Sequence, residues 1–251
     1  MPSRLKAASF VIVISIILFL GGCTTVYNPA TGREETLLID TEKEAALGRD
    51  MDARLKKQLK LSSDFSLQNR LNDIGRRVAK VSDRQDVVYQ FRVIADKELN
   101  AFALPGGIIY VNSGLLNKTN DDELASVIAH EVGHIAARHT VKKIQSILGY
   151  QIIMSIVSGV GTQANLSQAT DIVFNLASLG YGRVDELMAD KLAVRYLRRA
   201  GFSPYAMITL FAELKKEAQV KGANQKLIFL SSHPPIDERI KKVEKEINSN
   251  N

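Results

Sequence analysis

Apolar residues fall at helical spacing in two well-separated segments of the chain. Each segment places four aliphatic residues at intervals of four, three and four positions, which is the repeat of one face of an α-helix. The two sets are Leu67, Leu71, Ile74 and Val78, and Ile236, Ile240, Val243 and Ile247. They predict an amphipathic helix over 66–81 and a final helix near the C-terminus.

Between these two helices lies a segment in which every second residue is apolar. Val87, Tyr89, Phe91 and Val93 alternate with the residues between them, which predicts a strand over 87–94 with one apolar face. The apolar run 108–111 follows a Pro-Gly-Gly turn and predicts a second short strand.

Five further helices are predicted from start signals and apolar runs. They are 41–59, 121–137, 144–160, 185–199 and a helix that Ser203-Pro204 opens and that runs to about Lys221. The first two begin with capping-box patterns, Thr41 with Glu44 and Asn120 with Glu123. Polar residues interrupt 144–160, which favours a buried core helix over a segment that dips into a membrane. The whole pattern predicts an α+β fold, mostly helical with a small β-sheet.

The N-terminus has the form of an export signal. Two basic residues, Arg4 and Lys6, precede an apolar run from Phe10 to Leu20, which is too short to span a bilayer comfortably. Leu20-Gly21-Gly22-Cys23 follows and resembles a bacterial lipobox. We therefore expect a signal peptide over 1–22, a lipid-modified Cys23 and a polar tether over 23–40. An uncleaved anchor, or an ordinary signal with an incidental Cys, is the alternative.

Composition narrows the class of protein. The chain has 251 residues, of which 45% are hydrophobic and 24% charged, and this excludes wholesale disorder and a polytopic membrane protein. A single Cys excludes an intrachain disulfide and a zinc site of several Cys. The net charge of +6 is spread along the chain, so we expect no nucleic-acid partner.

Candidate chemistry lies in the sequence His130-Glu131-Val132-Gly133-His134. Residues four apart on a helix share one face, so both imidazoles can bind one Zn²⁺. Glu131 borders that face and can act as general base on a water at the metal. His139 lies nine residues after His130 and would point away from the metal if the helix continued that far, so we do not expect it as a ligand.

A catalytic zinc needs a third protein ligand and an open fourth position. The sequence leaves His233 or a carboxylate as the third ligand. Glu186 and Asp190 are four residues apart on one helical face, so Glu186 can bind the metal and Asp190 can accept a hydrogen bond from a ligating His.

Five segments resemble the HtpX-like, CAAX-prenyl-protease-type zinc metallopeptidases, a gluzincin group, and are closest to the envelope-lipoprotein branch that includes BepA and LoiP. The segments are 100–112 (NAFALPGGIIYVN), 123–139, 183–193, 201–204 (GFSP) and 232–235 (SHPP) with Glu238 and Arg239. The resemblance implies one Zn²⁺ per chain, held by His130, His134 and Glu186. It also implies Glu131 as the base, Asp190 as the partner of a ligating His, and a gluzincin-type domain over 41–251.

Two further features have alternative interpretations. Gly107, Ile108, Ile109 and Tyr110 are expected to form an edge strand on which a peptide substrate pairs, the alternative being an ordinary core strand. His233 is expected to approach the metal from a loop. There it would stabilise an oxyanion or occupy the fourth zinc position, the alternative being a surface residue.

These observations lead to one functional prediction and two rivals. We expect a zinc endopeptidase, lipid-anchored in the bacterial cell envelope and facing the periplasm from the outer membrane. Its expected partners are misfolded or misassembled envelope proteins, by resemblance. The rivals are an envelope chaperone or assembly factor that binds clients with little or no cleavage, and a structural lipoprotein without metal. Neither rival requires Glu131 beside a complete ligand set.

Overall fold

The computed structural model describes residues 24–158, 180–221 and 236–249, and within them it is mostly helical. The strands are β1 (Thr24–Asn28), β2 (Arg33–Leu37), β3 (Gln90–Ile94), β4 (Ala101–Ala103) and β5 (Ile108–Asn112). The helices are α1 (Thr41–Gln58), α2 (Phe65–Lys80), α3 (Ser113–Lys118), α4 (Asp121–Ala136), α5 (His139–Ser158), α6 (Arg183–Ala200), α7 (Ala206–Lys221) and α8 (Ile236–Ser249). The predicted α+β class is confirmed.

The helix starts agree with the sequence in α4 and differ in α1. At α4 the Asn120 side chain accepts a hydrogen bond from the Glu123 amide, and Glu123 bonds back to the Asn120 amide, so the capping box forms. At α1 the cap is Asp40, which accepts from the Lys43 amide. Glu44, expected to cap that helix, is instead buried and paired with arginines.

The three-stranded sheet has the order β3-β5-β4, so β5 is its central strand. β5 pairs parallel with β3 and antiparallel with β4, and all five of its residues are buried. The prediction that Gly107, Ile108, Ile109 and Tyr110 form the edge is therefore wrong. Gly107 lies in the turn before β5, and the other three have a hydrogen-bonded strand on each side. The sequence did not reveal β4, which is only three residues long.

β4 has a strand partner on one side only among the described residues. Its hydrogen bonds to β5 involve alternate residues, since Asn100 accepts from the Asn112 amide and the Leu104 amide donates to Ile108. In this antiparallel register the backbone groups of Ala101 and Ala103 point away from β5. β4 is thus an outer strand of this sheet, although Ala101 and Ala103 are themselves buried, at 1% and 8% exposed.

The segment expected to be a polar tether contains an antiparallel hairpin of β1 and β2. Asn28 is 5% exposed, and its side-chain amide donates to the carbonyl of Ala136 at the end of α4. Leu37, at the end of β2, is 2% exposed. Residues 24–37 therefore pack on the domain. The Pro and Gly of this segment are residues typical of a linker, which is why a tether was predicted. In the structure they form the turn of the hairpin, with Gly32 at a φ of 68°.

The helix α4 runs through the middle of the core, and every residue from Leu124 to Ala136 is buried. It lies close to α6 at Gly133, where an added Cβ would stand 2.9 Å from the carbonyl oxygen of Ala189. The missing side chain thus lets the two backbones approach. This contact brings the side chains of α6 next to those of α4.

The predicted helix over 144–160 corresponds to α5, which begins earlier, at His139, and is described as far as Ser158. Ile144 is 1% exposed and packs in a cluster with Tyr110 and residues of α1. Across the described ranges, no helix combines the length and hydropathy required to traverse a bilayer.

Candidate metal centre

Two histidines of α4 and one glutamate of α6 converge at a single point in the core. The Nε2 atoms of His130 and His134 are 3.0 Å apart. Glu186 places Oε2 3.6 Å from Nε2 of His130 and Oε1 3.4 Å from Nε2 of His134. All three side chains are at most 3% exposed. The structure therefore brings together the three residues that the sequence identified as ligands.

The spacing of these donor atoms fits one small divalent cation. Ligands at zinc distances in a tetrahedron are about 3.3 Å from one another, and the three observed separations bracket that value. Two imidazole nitrogens and a carboxylate oxygen are the donor set of many hydrolytic zinc sites. Burial lowers the pKa of His134 well below its usual value, so that ring is neutral. For His130, burial and the charge of Arg239 lower the pKa, but Asp190 and Glu186 outweigh them and raise it to about 9, so metal binding would displace a proton from this ring.

Asp190 lies one turn after Glu186 and contacts the first histidine. Its Oδ1 is 2.9 Å from Nδ1 of His130, on the ring side opposite the metal position. This contact orients the imidazole and directs Nε2 toward the metal position. Although burial opposes ionisation, the charge and hydrogen bonds of Arg239 and the hydrogen bond of His130 lower the pKa of Asp190.

Glu131 is completely buried beside the ligand cluster. Burial raises the pKa of its carboxyl to about 7, against the opposing charge of His130, and the negative charge of Glu186 adds to the rise. The nearby backbone amide of Ala103, on the outer strand β4, acts in the opposite direction and lowers this pKa. Glu131 therefore lies close both to the ligand cluster and to β4.

His139 lies beyond the end of α4. The helix ends at Ala136 and Arg138 adopts a φ of 56°, so the condition attached to the expectation for His139, that the helix continues that far, is not met. The new direction brings Nδ1 of His139 to 2.9 Å from Nδ1 of His134. His139 is not in the ligand triad, as expected, but it contacts a ligand.

Two other residues at the site had no role in the sequence reasoning. Arg239 from α8 donates to Asp190 and lies 3.1 Å from Oε2 of Glu186 through Nη1. Arg239 belongs to the family-like segment that contains His233, and this was the feature of the sequence that could have indicated a role at the site. Tyr181 stacks on the ring of His134 with 3.9 Å between centroids. Only the tertiary path of the chain before α6 places it there.

Two residues assigned from the sequence lie outside the described ranges. They are Cys23, the expected lipid-modified residue, and His233, the expected loop residue near the metal. The predictions made for them stay predictions.

The fold and the site define a class of protein: a metallopeptidase in which two histidines of one helix and a glutamate of a second helix can hold a metal ion, with a carboxylate next to the first histidine. The chain belongs to peptidase family M48, whose family model matches residues 66–247. This confirms the family indicated by the five sequence segments.

Three curated relatives are named as proteases. The metalloprotease YcaL of Escherichia coli K12 is 27% identical over 92% of this chain and 93% of its own length. The beta-barrel assembly-enhancing protease of Yersinia pestis is 25% identical over 84% of the chain, which spans 45% of that protein. The metalloprotease LoiP of Escherichia coli K12 is 32% identical over 68% of the chain and 66% of its own length.

Proposed function

We propose that the chain is a zinc-dependent endopeptidase of the bacterial cell envelope that degrades misfolded or misassembled envelope proteins. The observation that carries the proposal is the position of Glu131. Its carboxyl is buried close to the cluster of His130, His134 and Glu186 and close to Ala103 of the outer strand β4. A protein that only binds its clients has no need of a base at that point.

Each residue of the site has a distinct role in the proposed hydrolysis. His130, His134 and Glu186 would hold the ion, and Asp190 would fix the His130 ring. When bound, Zn²⁺ supplies a Lewis acid that polarises a peptide carbonyl and makes a water more acidic. Glu131 accepts the proton of that water as it attacks the carbonyl carbon. Glu131 then gives the proton to the amine nitrogen that leaves when the C–N bond breaks.

The edge of β4 suits an extended substrate. The backbone groups of Ala101 and Ala103 face away from β5, and the Ala103 amide lies beside Glu131. A peptide that adds to this edge as a strand passes the base and the metal position. Pairing of this kind uses main-chain groups and needs an unfolded segment, which favours misfolded chains as substrates over native domains.

The envelope location rests on the N-terminal motif and on the names of the relatives. Leu20-Gly21-Gly22-Cys23 has the lipobox pattern, and Thr24 after the Cys favours the outer membrane. Two of the relatives are the beta-barrel assembly-enhancing protease and LoiP. We infer a lipid anchor on Cys23 that holds the domain at the periplasmic face.

His233 retains two proposed roles near the metal. If it occupies the fourth ligand position, His233→Ala should raise basal cleavage, because the metal becomes open to water. If it stabilises the oxyanion, the same variant should retain zinc and cleave more slowly. Cleavage unchanged from wild type would assign His233 to neither role.

Cleavage of an unfolded protein tests the proposed function. The mature chain with bound zinc should degrade casein, lose activity after treatment with a chelator and regain it when zinc is restored. A natively folded protein of similar size should resist. The chaperone alternative predicts instead that the chain keeps an unfolded protein in solution and leaves it intact, with or without zinc.

A further inference from the structure

A strained residue separates the helix that bears the metal ligands from the next helix. Arg138 lies between the end of α4 and the start of α5 with a φ of 56°, and it is the non-glycine residue of the described chain with a positive φ. This backbone region is unfavourable for an arginine. A strained residue that its surroundings hold in place is a reason to look for a function in what it positions.

The side chain of Arg138 is held by α1. Its guanidinium donates to Oε2 of the buried Glu44 at 3.0 Å and to Oγ1 of Thr41 at 2.9 Å. Glu44 in turn accepts two hydrogen bonds from Arg84, and its Oε1 accepts from the Gly106 amide before β5. These contacts compensate for the strained backbone and fix the direction in which the chain leaves α4.

The direction in which the chain leaves α4 places the ring of His139 against the ring of His134, one of the proposed metal ligands. His139 is 4% exposed, and its ring meets that of His134 edge to face with 4.9 Å between centroids. The two Nδ1 atoms are 2.9 Å apart, which is hydrogen-bond distance. One of these nitrogens must therefore donate and the other accept.

The ligand role of His134 decides which nitrogen donates. Nε2 of His134 faces Nε2 of His130 and Oε1 of Glu186, so its lone pair must be free for the metal. The proton of neutral His134 is then on Nδ1, and Nδ1 of His139 accepts it. His139 carries its own proton on Nε2, which faces Oδ1 of Asp185 at 3.6 Å.

We propose that His139 is a positioning residue for the metal, because it fixes the ring and the tautomer of His134 by accepting its Nδ1 proton. The two histidine ligands are then oriented differently: His130 by the carboxylate of Asp190, and His134 by a neutral imidazole. This inference rests on the metal site of the proposed function.

Two substitutions at His139 separate the hydrogen bond from the packing. His139→Asn places an amide oxygen near the position of Nδ1 and retains an acceptor, whereas His139→Leu fills the space without one. The measurement is the dissociation constant of zinc, by competition with a chelator of known affinity. We expect His139→Leu to bind zinc about 10- to 100-fold more weakly than wild type and His139→Asn to recover most of that loss.

The metal-free variants should first be compared by circular dichroism, to establish that both fold. Zinc affinity equal to wild type in a folded His139→Leu would overturn the inference. An equal loss in both variants would also overturn it, since the loss would then follow packing and not the acceptor. If wild type itself binds no zinc, the failure belongs to the proposed function.

Discussion

Arg239 donates from Nε and Nη2 to the two carboxylate oxygens of Asp190, and both hydrogen bonds are 2.7 Å long. Each of the two side chains is 1% exposed. The pair joins α8 to α6 directly behind His130, because Oδ1 of Asp190 also contacts Nδ1 of that ring. The C-terminal helix is thus part of the support of the metal centre.

Loss of Arg239 should destabilise the fold strongly. Arg239→Leu leaves Asp190 buried without its cation, and the removal of one partner of a buried ion pair costs about 3–5 kcal/mol. Urea denaturation of the metal-free protein measures the change. Arg183 and Glu238 provide the control, since they pair across the same two helices with Arg183 66% exposed. Arg183→Leu should cost at most about 1 kcal/mol. Similar losses of stability in both variants would contradict this account of the Arg239–Asp190 ion pair.

Asp52 should make stability depend on pH in acid. Burial raises the pKa of Asp52, but hydrogen bonds from Arg92, Lys56 and Tyr110 outweigh it and lower the pKa to about 2. A folded-state pKa below the unfolded value of 3.8 stabilises the fold above pH 3.8, and this contribution is lost as pH falls toward 2.

Asp52→Asn measures this contribution in the metal-free protein. The substitution should lower the free energy of unfolding by about 2 kcal/mol at pH 7, and the difference from wild type should shrink at pH 2.5. Asp50→Asn is the control, because Asp50 lies on the same helix and is 52% exposed in its pair with Arg54. A loss for Asp52→Asn that stays constant over this pH range would refute the assignment.

A proline on β4 tests the proposed substrate edge. The Ala101 amide points away from β5, so Ala101→Pro leaves the bonds to β5 intact. Because Ala101 is 1% exposed, the substitution removes a donor for a substrate strand only if that strand displaces the part of the chain that covers this edge. We expect kcat/KM for an unfolded peptide to fall about 3- to 10-fold, the value of one backbone hydrogen bond. Zinc affinity should not change. Ala101→Gly keeps the amide and should retain activity, and if Ala101→Pro is equally active, the peptide does not pair there.

The sequence predicted the elements with long repeats and missed those that depend on partners. The periodic residues of α2 and α8 gave both helices, and the pair Asn120 and Glu123 gave the start of α4. β4 has three residues, too few for a pattern to show. It exists because its backbone bonds to β5. The hairpin of residues 24–37 likewise depends on pairing and on the contact of Asn28 with α4.

At the site, the sequence supplied the residues whose spacing carries the chemistry. His130, Glu131 and His134 follow from one helical turn, and Glu186 with Asp190 from another. The supports of these residues are nonlocal, and Arg239 approaches from 49 positions beyond Asp190. The contact of His139 with His134 was not predictable, because the direction of His139 depends on the positive φ of Arg138, which no local pattern indicates.

The measurement that tests the central claim most directly is zinc content beside casein cleavage, for wild type and Glu131→Gln. The amide replaces the base and leaves His130, His134 and Glu186 unchanged, so Glu131→Gln should bind one zinc per chain as wild type does. It should also cleave casein at least about 100-fold more slowly, since it cannot accept the proton of the attacking water. If Glu131→Gln cleaves casein as fast as wild type, or if the wild-type chain carries no metal, the account of this site is wrong.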